Sequence, residues 1–149
     1  FGGSDELTNS DITAQQRLVI FLVCGNISGA SQSSFKAVND NFENQYEHAQ
    51  NQGTSDFDRL DLPENQNTIT ETDTGINLYT FVADGTSSLY RRSGSEFTAD
   101  AGVSGLEGLN IGTLSYDGLF GFVEIHEGDP SSGLQTREQE IANMWDITL

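Results

Sequence analysis

Leu18-Val19-Ile20-Phe21-Leu22-Val23-Cys24 is the longest unbroken apolar run in the chain. It has the length of a strand and falls far short of the roughly 18 apolar residues that a membrane-spanning helix needs. It is rich in β-branched and aromatic types and stops at Gly25-Asn26. A strand without polar alternation must be covered on both faces, so this run belongs in the middle of a sheet. Cys24 at its end is then a small buried hydrophobe rather than a reactive thiol. As the sole cysteine it can form no intrachain disulfide, and no Cys/His set of zinc-site type accompanies it.

A central strand needs neighbours, and the remaining pattern supplies short ones. Ser, Thr, Asn and Gln make up about a third of the 149 residues, and Lys36 is the only lysine. Residues 34–38 alternate polar and apolar. The following stretch to about Asp56 is polar, anchored only by Phe42, Tyr46 and Phe57, and reads as an exposed excursion with weak strands near 57–62 and 68–72. Residues 76–83 alternate again, Asp84-Gly85 signals a hairpin, and Arg92-Ser93-Gly94 signals another turn. Strands are expected at 108–114 and 119–126, joined by a turn at Tyr116-Asp117-Gly118. Strict alternation would put Phe120, Phe122, Glu124 and His126 on one face of the second. This spacing predicts an all-β, antiparallel two-sheet sandwich of jelly-roll type, one domain over 1–149.

One helix is expected, at the C-terminus. Thr136-Arg137-Glu138-Gln139 has the form of a capping box with Thr136 as N-cap, and Ile141, Met144 and Trp145 make an apolar stripe. That stripe would close one side of the sandwich, with Trp145 in the core.

The 23 acidic residues against 6 basic ones give a net charge of −17, which repels nucleic acid and anionic membranes. The acids form no Asp-x-Asp-x-Asp-Gly calcium loop; Asp56, Asp58 and Asp61 are the densest short set that could hold Ca²⁺. The plainer alternative for them is a solvated edge. Glu124-Ile125-His126-Glu127 is the nearest approach to paired catalytic acids, but Glu127 falls on the opposite strand face from Glu124. No serine-nucleophile elbow or phosphate loop occurs, so no catalytic residues are assigned.

The order of these pieces resembles the concanavalin A-like lectin/glucanase superfamily, in particular laminin-G-like modules of phage structural and bacterial surface proteins. Phe1-Gly2-Gly3-Ser4-Asp5-Glu6-Leu7 is similar to the opening F-D-G-x-D-D-Y-L strand, with Gly2 where Asp is usual. Residues 17–23 stand in the place of an F-T-I-x-x-W-V strand without its Trp, and 79–90 resemble a hairpin with D-G-T. The last third is densest: Ile111-Gly112, Tyr116-Asp117-Gly118, residues 120–125 and 138–145 follow the family's order. The resemblance implies a further strand ahead of Phe1 and hence a piece of a longer or processed chain. It also implies calcium at the sandwich rim as an option, and a lectin-type ligand site built on loop aromatics, for which Tyr46, Tyr116 and Asp117 are the candidates. The function expected from it is a non-catalytic structural or adhesion module of a virion decoration or fibre protein. The alternative is a carbohydrate-binding module of an extracellular protein. Expected partners are assembly proteins or further copies of the chain in the first case, and cell-surface glycans in the second. A virion component assembled in a cytoplasm accords with the lack of disulfides.

Overall fold

The computed structural model describes residues 7–9, 17–26, 32–38, 45–51, 57–61, 66–69, 75–84, 86–98, 107–111, 118–127 and 133–149. Among these residues eleven strands form two antiparallel sheets. In chain order they are β1 (Leu7–Asn9), β2 (Arg17–Asn26), β3 (Gln32–Val38), β4 (Gln45–Asn51), β5 (Phe57–Asp61) and β6 (Gln66–Ile69), then β7 (Asn77–Asp84), β8 (Leu89–Arg92), β9 (Ser95–Thr98), β10 (Glu107–Ile111) and β11 (Gly118–Glu127). The helix α1 spans Leu134–Trp145. One sheet runs β1-β10-β3-β4-β5-β6 and the other β11-β2-β7-β8-β9, the arrangement of a jelly-roll sandwich.

The apolar run lies in β2, flanked by β11 and β7, with both of its faces buried. Val19, Phe21 and Val23 turn toward α1 and join Leu78, Val82, Ile141 and Ala142 in one cluster. Ile20, Leu22 and Cys24 take the other face, which Tyr79, Phe81 and Tyr90 share across β7 and β8. Phe81 and Tyr90 stack at 5.2 Å between ring centroids. Continuous apolarity in β2 thus reflects two covering layers; β7 is likewise buried on both faces over 77–82, whereas β8 alternates.

The β8–β9 hairpin closes through Ser93 and Gly94, both at positive φ (40° and 84°), the backbone of a type I′ turn. At Gly25 an added Cβ would sit 2.9 Å from the Gly75 carbonyl oxygen, so β2 and the entry to β7 approach as only glycine permits.

Three expectations change. The polar excursion contains a full strand, β4, paired with both β3 and β5 although Gln-Tyr-Glu-His-Ala-Gln-Asn has weak strand propensity. Strict alternation in β11 fails because its register against β2 shifts between Phe120 and Phe122. Phe120 pairs with Cys24 and Phe122 with Val23, so the two phenylalanines lie on opposite faces and Gly121 is the extra residue of a bulge. The capping box does not form. α1 begins three residues earlier, with Gly133 as N-cap in the left-handed region and no side-chain cap. Its buried residues are Glu138, Ile141 and Ala142, while Met144 is 59% exposed and Trp145 39%. Trp145 is not core: its ring rests over Gly121, where an added Cβ would lie 2.8 Å from the indole.

Candidate functional site

α1 covers one face of the five-stranded sheet, and two groups of charged residues hold it there. Glu138, buried on the helix, meets Arg91 of β8 at 3.1 Å, and Arg91 also faces Glu96 of β9 at 3.9 Å. Arg91 is the register partner of Thr80, so the Thr80 hydroxyl lies beside the same carboxylate, without a fully aligned hydrogen bond. Burial pushes the Glu138 carboxyl above its ordinary range, Thr80 and Arg91 pull it back, and Glu96 adds to the push. Nearer the helix start, Arg137 donates to both oxygens of Glu124 on β11, Nε to Oε1 at 2.8 Å and Nη2 to Oε2 at 2.5 Å. Arg137 Nη1 donates to Glu140 at 2.6 Å, and His126 Nε2 bonds to Glu124 Oε1. The Arg137 hydrogen bonds, with His126 assisting against partial burial, hold Glu124 down to about 2, and the same contacts raise Arg137.

This arrangement gives Glu124 a structural role. A carboxylate clamped by a guanidinium and ionised down to about pH 2 has no proton to give as a general acid. Among the described residues no group of three or more His, Cys, Asp or Glu is placed to hold a metal.

The six-stranded sheet presents a different surface. Thr8, Asn110, Lys36, Glu47, Asp61 and Gln66 are successive register partners from β1 to β6, one polar residue from every strand. The adjacent row is Leu7, Ile111, Phe35, His48, Leu60 and Asn67, mostly apolar. Rows one residue apart fall on opposite faces, so the register sets this polar row and the mostly apolar row on opposite sides of the sheet. At about 4.8 Å between strands, the polar row extends across roughly 24 Å. Its one lysine, Lys36, stands between Asn110 and Glu47 in register.

Of the residues singled out in sequence, Tyr46 lies within β4 opposite Ala37, not in a loop, and by parity shares the face of His48 and Phe35. Asp58 pairs with Gln50 and Ile69, and Asp61 with Glu47 and Gln66. Three positions apart, they fall on opposite faces. Asp56, Tyr116 and Asp117 lie outside the described residues. Sequence reasoning missed the polar row because it exists only through pairing: its six members come from six separate segments. It also missed the Glu138–Arg91 pair, whose signal was an acid inside the apolar stripe of α1, spaced i, i+3, i+4 with Ile141 and Ala142.

Two antiparallel sheets in these orders, one of them covered by a C-terminal helix, make a lectin-like jelly-roll fold. Solved structures agree. Domains LG4-5 of the mouse laminin alpha1 chain superpose with a TM-score of 0.62 at 11% identity, over 85% of this chain and 40% of that one. CG-16, a homodimeric agglutinin from chicken liver, gives 0.57 at 7% identity over 82% of this chain and 100% of its own. The carbohydrate-binding module CBM66 from Bacillus subtilis gives 0.53 at 10%, over 84% and 83%. The chain spans two fifths of the laminin fragment, at identities that carry the fold alone. No family model matches the sequence, and no curated protein does.

Proposed function

We propose that the protein is a non-catalytic, lectin-type binding module whose ligand is a saccharide held on the polar face of the six-stranded sheet. One observation carries this: α1 seals one face of the five-stranded sheet, while a continuous row of hydrogen-bonding residues crosses the other sheet. Hydroxyl-rich ligands need closely spaced donors and acceptors, and amides, carboxylates and a lysine on adjacent strands provide them. The fold shared with an agglutinin and a carbohydrate-binding module supports the same reading. The non-catalytic part rests on Glu124, whose bidentate clamp commits it to holding α1.

A glycan array read with the wild type and with Glu47→Ala and Asn110→Ala tests it. Specific saccharide binding that both substitutions weaken, with no hydrolysis of the bound glycan, is the expected result. Binding that survives both substitutions would move the ligand elsewhere, and hydrolysis abolished by Glu124→Gln would make the protein an enzyme.

A further inference from the structure

The large hydrophobic side chains left exposed on the described part of the protein gather at one end of the five-stranded sheet. Ile76 and Leu119 are 44% and 52% exposed, Met144 and Trp145 59% and 39%, and Leu149 39%. Leu119 pairs with Gly25, and an added Cβ at Gly25 would lie 3.2 Å from the Cα of Ile76, so these three residues form one row across β11, β2 and the entry to β7. Trp145 lies over Gly121, two residues from Leu119, with Met144 beside it in the last turn of α1. The C-terminal tail then crosses to Gly94 at the β8–β9 turn, where Leu149 is seated. Gly121 and Gly94 make room for Trp145 and Leu149 respectively, and the outward sides of both remain open.

Clusters of exposed apolar residues on a soluble fold mark contact surfaces. Charge decides what kind of partner fits this one. The chain carries −17, and Asp146 directly follows Trp145. The arginines of β8 and α1 are committed elsewhere: Arg91 to Glu138 and Glu96, Arg137 to Glu124 and Glu140, and Arg92 is buried. A second copy docked on this end would bring Asp146 toward its own counterpart, with the arginines of β8 and α1 already paired or buried. A basic partner is steered in by the same field that repels an acidic one.

We propose that this end of the sheet is a docking surface for a polypeptide segment that carries an apolar anchor flanked by Lys or Arg. The anchor covers Trp145, Met144 and Ile76, and the flanking cations meet Asp146. Trp145 is the only tryptophan in the chain, so its fluorescence reports occupancy directly. The experiment titrates the protein, in about 0.15 M salt, with a short Leu/Lys amphipathic peptide and with its Leu/Glu counterpart. The Leu/Lys peptide should shift Trp145 emission to the blue in a saturable way, and the Leu/Glu peptide should not. Met144→Ser and Ile76→Ser leave the charge intact and should each weaken binding about tenfold; Gln135→Ser, on the exposed start of α1, should not. Three results would overturn the proposal. The peptide could bind with unchanged Trp145 emission and no response to either variant, which is general charge attraction. The protein alone could self-associate with a blue shift, which makes the occupant a second copy. Neither peptide could bind.

Discussion

At the scale of single residues, two carboxylates under α1 respond to pH with opposite signs. Glu124 is held at about 2, below the ordinary 4.5, so its contribution to stability is complete above about pH 4.5 and is lost as pH falls toward 2. Glu138 is raised, so ionising it costs more in the fold than in the unfolded chain. That cost is absent below about pH 4.5, grows as pH rises, and is complete above the raised value. Glu138→Gln should therefore leave stability at pH 7 equal or higher and flatten the stability gain on mild acidification, followed by urea unfolding across pH. A loss above about 2 kcal/mol would instead make the Arg91 pair a net stabiliser. Arg137→Gln should flatten the acid side below about pH 4.5 and leave the neutral arm's slope unchanged. Gly25→Ala tests the close approach of β2 to Gly75. Its Cβ meets backbone at 2.9 Å rather than a movable side chain, so a loss of about 1–3 kcal/mol is expected in the same assay.

At the scale of elements, β2, β7 and β11 were legible because their apolar residues repeat with strand periods whatever they pair with. β4 was not, because its polar, weakly β-forming sequence is held by ladders on both sides rather than by its own preference. The faces of β11 were legible only on one side of Gly121, since a bulge inverts parity and leaves no mark beyond a glycine. α1 was placed correctly as an amphipathic lid, but Thr136-x-x-Gln139 suggested the wrong start, and the stripe was rotated: Leu134, Glu138, Ile141 and Ala142 face the sheet. Docking is therefore anchored by Ile141, fully buried in the cluster with Val19, Phe21 and Val23. Ile141→Ala should cost about 2–5 kcal/mol. Trp145→Ala should cost clearly less, because 39% of that residue is already in water. Chemical denaturation of the two variants side by side checks the ranking, and the reverse order would return Trp145 to the core.

At the scale of the whole molecule, charge and topology each make a demand. With 23 acids and 6 bases, the compact state is strained by self-repulsion that salt screens, so the melting temperature should rise between low salt and about 0.5 M monovalent salt. An unchanged value across that range would mean the acids are dispersed or metal-bound. Topology decides where a ligand can sit. A sandwich was readable from strand spacing and turns, yet the candidate site was not, because Thr8, Asn110, Lys36, Glu47, Asp61 and Gln66 become neighbours only when six strands pair. The most direct test is to map backbone amide shifts by NMR while titrating a saccharide identified on a glycan array. Perturbations confined to β1, β3, β4, β5, β6 and β10, with α1 and β11 silent, are the predicted result. Perturbations centred on α1 and β11, with the six-stranded sheet unmoved, would contradict it.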